Sequence, residues 1–173
     1  MNSFERMREK EKLLTYEQAK EIFDCDPEKG ILIWKNNRRD SSLNGTVAGW
    51  FDKFNGYAHV HTNKTTYKSH RIIWLLVTGK WPENQIDHIN GIRNDNRFCN
   101  LREATTSQNC ANKKKTIRNV SGYKGVVAVN KKWRALIVID GKTIHIGYYE
   151  TPEEAHAAYV AKAKELFGDY AKV

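Results

Sequence analysis

Residues 87–109 read DHINGIRNDNRFCNLREATTSQN, and their punctuation sets the local fold. Gln85-Ile86-Asp87-His88 reads as a strand end, and Asn90-Gly91 as a turn. Arg93 to Phe98 is a polar loop. Leu101-Arg102-Glu103-Ala104 fits a returning strand. Thr105, Thr106 and Ser107 are N-cap types for a helix that holds Asn109. Strand, loop, strand and helix can bring Asp87, His88 and Asn109 together, although 22 positions separate the first from the last. Neighbours along a strand point to opposite faces, so Asp87 and His88 share a site only at a kink or a strand end.

Working outward, Thr15-Tyr16-Glu17-Gln18 fits a capping box, and Ile22 and Phe23 give the short helix an apolar side. Asp26 to Gly30 is a turn, and Ile31–Trp34 reads as a strand. Asn55-Gly56 separates short strands near Val47–Phe51 and Tyr57–His61, and Asn63-Lys64 is a further turn. His70 to Val77 is dense in apolar residues and stops at Gly79, the pattern of a buried helix with a glycine cap. Downstream, Gly125–Val129, Trp133–Ile139 and Thr143–Tyr148 read as three strands, with Asp140-Gly141 as a tight hairpin turn. Thr151-Pro152-Glu153-Glu154 starts a helix that runs to about Phe167 and ends at Gly168.

Charge is unevenly placed. The chain has 173 residues, 29 Lys+Arg and 20 Asp+Glu, for a net charge of +9. Residues 1–63 are neutral, residues 64–118 carry +7 and residues 119–173 carry +2. A concentrated basic excess is the footprint of a polyanion binder. No apolar run approaches the roughly 20 residues of a spanning helix. The charged start MNSFERMREKEKLL lacks a signal-peptide core. These features predict a cytoplasmic protein, neither secreted nor membrane-bound. Cys25, Cys99 and Cys110 form no Cys-x-x-Cys pair, so neither a disulfide framework nor a structural zinc is expected.

The Asp87-His88 pair, then Asn100-Leu101-Arg102, then Gln108-Asn109 resemble the HNH nucleases of the ββα-metal type, in their phage and intron homing-endonuclease branch. The resemblance covers residues 15–115 and includes the phrases GILIW, SHRIIW and TGKWP. It implies His88 as general base, Asp87 and Asn109 as metal ligands, and Asn100 as a brace that orients His88. The last position is Asn109 rather than histidine, which favours one weakly held Mg²⁺ or Mn²⁺ over zinc. The chemistry suits these residue types. His88 can accept a proton near neutral pH because its unperturbed pKa is about 6.5. A carboxylate and an amide oxygen suit hard divalent cations, which stabilise charge on a phosphate and its leaving oxygen. His70 could approach the phosphate or be structural. Arg71, Arg93, Arg97 and Arg102 are candidate phosphate contacts, and Lys113, Lys114, Lys115 and Arg118 form a basic connector.

Tyr123-Lys124-Gly125-Val126, Trp133-Arg134-Ala135, Ile146-Gly147-Tyr148-Tyr149 and Thr151-Pro152-Glu153-Glu154-Ala155 resemble the plant ethylene-response-factor (APETALA-two) DNA-binding domain. That resemblance implies a sheet whose exposed face meets DNA. Where the plant domains place Arg, Glu or Trp, this chain has Val127, Val129, Leu136, Val138, Thr143 and His145. Their sequence preference therefore does not transfer, and Lys124, Lys132, Arg134, Lys142 and His145 remain as backbone contacts.

The expected fold is α+β: a mixed β module with a ββα-metal HNH motif, then a three-stranded antiparallel sheet packed on one helix. The expected division is a flexible arm (1–14), a nuclease module (15–115), a basic linker (116–120) and a DNA-binding domain (121–173). The expected activity is metal-dependent hydrolysis of double-stranded DNA, by nicking or double-strand cutting, with no obligate protein partner. The alternative is a non-catalytic DNA-binding protein that uses the same basic surface.

Overall fold

Thr15 opens a helix because it and Gln18 satisfy each other's orphan amides. Gln18 N donates to Thr15 Oγ1 at 3.2 Å, and Thr15 N donates to Gln18 Oε1 at 3.1 Å. The computed structural model describes residues 3–113 and 120–172. The chain forms two compact units, Met1–Glu103 and Ala104–Val173.

The first unit begins with α1 (Ser3–Glu11) and α2 (Tyr16–Ile22). The antiparallel hairpin β1 (Phe23–Asp26) and β2 (Ile31–Trp34) follows. Phe23, expected on the helix, instead opens β1 opposite Trp34, and their ring centroids lie 4.9 Å apart. Its aromatic ring gains a cross-strand partner there. Next, β3 (Trp50–Phe51), β4 (Ala58–Thr62) and β5 (Thr65–Lys68) form an antiparallel sheet in that order. The β4–β5 turn holds Asn63 and Lys64 at φ 48° and 61°, as a two-residue hairpin loop requires. Helix α3 (Ser69–Thr78) ends at Gly79, whose φ is 78° and whose N–H donates to Leu75 O at 2.8 Å. Strands β6 (Gln85–His88) and β7 (Leu101–Ala104) pair in a two-stranded sheet. Leu14, Ile22, Phe23, Leu32, Val60, Ile72, Ile73, Leu75, Ile86 and Leu101 share one core, so the helix before the loop and both strands flanking it are anchored together.

Within the stretch expected as a flexible arm, the described residues are ordered. Residues 3–11 are helical, and Leu14 is fully buried. Buried Glu11 accepts from Arg71 Nε, and Arg71 also donates to Asn84 O at 3.1 Å and Pro82 O at 3.3 Å. Tyr67 Oη donates to Lys10 O at 3.1 Å, and Trp81 Nε1 donates to Leu14 O at 2.9 Å. These long-range partners hold a segment whose own sequence is mostly charged.

The second unit opens with α4 (Thr106–Ala111), capped by Thr105 and Gln108 as α2 is by Thr15 and Gln18. Strands β8 (Val126–Val129), β9 (Lys132–Ile139) and β10 (Lys142–Tyr149) form an antiparallel sheet in the order β10-β9-β8. Helix α5 (Pro152–Phe167) lays Ala155, Tyr159, Ala163 and Phe167 into its core. At Gly125 a Cβ would lie 2.1 Å from the Tyr159 ring, and φ is 72°, so the sheet and helix require glycine there. The helix expected to close the nuclease module joins this second unit. Ala111 packs with Ile137, Tyr159, Ala163 and Phe167, and Ser107 Oγ donates to Asp140 Oδ1 at 2.8 Å. A six-residue helix buries too little alone, so its contacts decide its membership. Among the described residues no helix is long and apolar enough to cross a membrane. Lys114, Lys115 and Arg118 of the expected connector lie outside the described residues.

Removing one member of a buried ion pair strands the other charge. Glu11→Ala is expected to lower stability by about 3–5 kcal/mol in urea unfolding. A change within about 0.5 kcal/mol would show that α1 is not part of the cooperative fold.

Candidate active site

His88 is the last residue of β6, where the chain turns out of the sheet and Gly91 N donates to His88 O at 2.7 Å. Ile86, Asp87 and His88 are all buried, so both faces of this strand end are covered. Asp87 accepts from Arg102 Nε at 3.0 Å, across the β6–β7 pair. His88 Nε2 lies 3.0 Å from Asn96 Oδ1, and both residues are buried. With Nε2 protonated as donor, the neutral ring carries its lone pair at Nδ1. Burial pulls the His88 pKa below its ordinary value, outweighing the opposite pull of Asn96 and Asp87. The imidazole is therefore neutral at pH 7 and able to take a proton.

The loop between the strands is self-braced. Asn100 accepts from Asn90 N at 3.0 Å and donates to Asn90 Oδ1 at 3.1 Å and Asp95 O at 2.8 Å. Ile89 N donates to Asn100 O at 2.9 Å. Asn100 thus braces the loop, and Asn96, to which the sequence assigned no role, hydrogen-bonds His88. The fixed signal was at Asn100; Asn96 looked like one more polar loop residue. The β1–β2 turn supports the same loop. Phe98 N donates to Pro27 O at 2.8 Å, and a Cβ on Gly30 would lie 2.2 Å from Arg97 N. Gly30 at φ 69° is what allows that approach.

Several expected phosphate contacts have other employment. Arg71 is buried against Glu11 and two carbonyls, so it is structural. Arg102 holds Asp87. Arg97 donates twice to Asp95, from Nε at 2.7 Å and Nη2 at 2.6 Å, and holds that carboxyl down to about 2. Arg93 is exposed and donates to Asn55 O at 2.9 Å. In the second unit, Lys124 donates to the carbonyls of Ala111 and Lys172 and closes the fold, which removes it from the contacts expected of it. Lys132 pairs with Glu150 at 2.8 Å. Arg134 stands across from Val127 and Tyr148 on the sheet's outer face, and its Nε has no partner among the described residues. Lys142, His145 and Lys113 are exposed, and His145 lies 4.7 Å from the Tyr148 ring.

His70 lies in the first turn of α3 and is buried, and its Nδ1 has no hydrogen-bond partner among the described residues. Its ring meets His88 edge-on at 5.0 Å and Tyr57 at 5.5 Å. Burial, then the neighbouring His88, Lys68, Arg71 and His59, push its pKa well below the ordinary value. Asp87, His88 and Asn100 thus lie in the first unit, whereas Asn109 stands on α4 in the second. Among the described residues no three His, Cys, Asp or Glu side chains converge on a metal position. A carboxylate and an amide oxygen are donors that suit a hard cation retaining much of its water shell.

A histidine held neutral by the fold ties stability to pH. The unfolded chain binds a proton at His70 near 6.5 and the folded chain does not, so stability falls as pH drops below that value. The limiting slope is about 1.4 kcal/mol per pH unit per proton. Urea unfolding from about pH 7.5 to about pH 5.5 is expected to show this loss, and His70→Leu to flatten it. An equal slope in the variant would exclude His70 as the source.

Residues 67–111 match the family model described as HNH endonuclease. An uncharacterized HNH endonuclease of Acanthamoeba polyphaga mimivirus is 37% identical over 105 residues. That match covers 59% of this chain and 54% of the relative, so the chain spans about half the length of the curated relative it matches. No solved structure matches the chain. The strand pair, the loop, His88 and α4 all fall within the matched residues, and residues 67–111 thus carry an HNH endonuclease family domain.

Proposed function

We propose that the protein is a divalent-metal-dependent DNA endonuclease of the homing type. The observation that carries this reading is a buried, neutral His88 at a strand end, held through Nε2 by Asn96 beside the Asp87 carboxylate. In the proposed reaction His88 takes a proton from water, the water oxygen bonds to phosphorus, the bond to the 3′ oxygen breaks, and that oxygen takes a proton from a solvent water. The products are a 5′ phosphate and a 3′ hydroxyl. Asn96 keeps the ring oriented, and Arg102 keeps the Asp87 carboxylate in place. Asp87 and Asn109 would hold Mg²⁺ or Mn²⁺, which supplies charge stabilisation at the phosphate and the leaving oxygen.

Double-stranded DNA is the proposed substrate. In the first unit Arg93 lies exposed on the loop, with no carboxylate partner among the described residues. In the second unit the outer sheet face would follow the phosphate backbone through Arg134 and His145, flanked by exposed Val127, Val138 and Tyr148, with exposed Lys142 at the hairpin end of β10 adding charge. This face is apolar enough that it would add to affinity more than to sequence reading.

Plasmid nicking or cutting is expected with Mg²⁺ or Mn²⁺ and not with EDTA. His88→Ala is expected to slow it by about 10²- to 10⁴-fold with DNA binding retained. Undiminished cleavage by His88→Ala would remove the base assignment. Arg134→Gln with Lys142→Gln is expected to weaken duplex binding and flatten its salt dependence by roughly one to two counterions. These substitutions are preferable to deleting residues 120–173, because α4 packs on that unit.

A further inference from the structure

Lys68 ends β5, directly across from His59 in the sheet register, and its chain passes straight into α3 and His70. Its ammonium lies 3.9 Å from the centroid of the Tyr57 ring. The Arg93 guanidinium, from the loop after β6, lies 5.2 Å from the same ring. Tyr57 is also 6.1 Å from His88 and 5.5 Å from His70. One aromatic ring therefore gathers two cations beside the candidate base.

Neither cation is neutralised. Arg71, the third cation of this region, is matched by Glu11. No carboxylate pairs with Lys68 or Arg93 among the described residues, and Arg93 makes its hydrogen bond to a neutral carbonyl. A cation over a ring gains about 0.5–1 kcal/mol at an exposed site. It gains nothing against a second like charge, and Lys68 is half-buried. Its pKa is lowered by burial first, then by Arg71 and Arg93. Lys68 is half-buried and Arg93 exposed, and two cations on one ring with no carboxylate partner among the described residues are stabilised by an anion bound beside them.

We propose that Lys68 and Arg93, ordered on Tyr57, form an anion site that takes the non-bridging oxygens of a phosphodiester beside His88. The inference deepens the nuclease reading and rests on it for the identity of the phosphate. Lys68 supplies a compact charge that follows the phosphate as it becomes five-coordinate, and Arg93 supplies paired donors. Lys68 carried no signal in the sequence, because a lysine at a strand end is ordinarily a solvated charge.

The test uses the full chain, with Lys68→Met keeping the alkyl stem and Lys68→Arg keeping the charge. Inorganic phosphate is titrated while the histidine ring resonances are followed by NMR. The His88 ring is expected to shift saturably in the wild type, and Lys68→Met is expected to weaken that response about tenfold or more. Lys68→Arg is expected to restore most of it. The His61 ring, which hydrogen-bonds Thr66 in the same sheet, reports that the variants remain folded. No response in the wild type, or an equal response in Lys68→Met, would overturn the site. In parallel, single-turnover plasmid cleavage is expected to slow about 100-fold in Lys68→Met. Cleavage by Lys68→Met at the wild-type rate would also overturn it. A Lys68-dependent phosphate response in a protein that cuts no DNA would keep the anion site and reject the nuclease reading.

Discussion

The Arg71 guanidinium sits where α1, α3 and the segment entering β6 meet, and it makes polar contact with all three. It takes the Glu11 carboxylate and the carbonyls of Pro82 and Asn84. Desolvating a guanidinium is costly, and only a full set of acceptors offsets that cost. The arrangement is correspondingly specific: α1 must dock, and residues 82–84 must pass close to α3. His70 precedes Arg71 on α3 and β6 begins at Gln85, so the same anchor sets both histidines of the site. A buried ion pair of this kind adds little net stability but fixes one packing among several.

Around that anchor the electrostatics separate into matched and unmatched charge. Arg97 is matched by Asp95, Arg102 by Asp87 and Arg71 by Glu11. Each match places a loop or strand. Lys68 and Arg93 remain over Tyr57, next to two histidines that burial keeps neutral. The pairs Arg97–Asp95 and Arg102–Asp87 cancel within residues 64–118, so of the net +7 only the charge of Arg71, matched by Glu11 from outside the segment, is given over to the scaffold by these pairs.

The second unit follows a more local logic. The Asp140-Gly141 turn, the Thr151 capping box with Pro152, and the Ala155, Tyr159, Ala163 stripe each specify their own conformation over a few residues. The strands run within one residue of the ranges read from the sequence for the same reason. Its polar contacts are less legible. Lys124, expected as a backbone contact, donates instead to the carbonyls of Ala111 and Lys172.

Sequence alone determined the elements whose signals are local: the capped helix starts at Thr15 and Thr151, a cap within Thr105–Ser107, the apolar helix ending at Gly79, and the turns that set strand, loop and strand around His88. Tertiary structure alone decided which charged and amide side chains are tied into the scaffold and which are left without a charged partner among the described residues. Arg71 and Glu11 are 60 positions apart, so no window of sequence shows that they pair. Asn96 and Asn100 are the same residue type on the same loop, and only the path of the backbone decides that Asn96 meets His88 while Asn100 braces Asn90 and Asp95. Caps and turns arise from forces acting within a few residues. Burial and ion pairing depend on where distant segments meet.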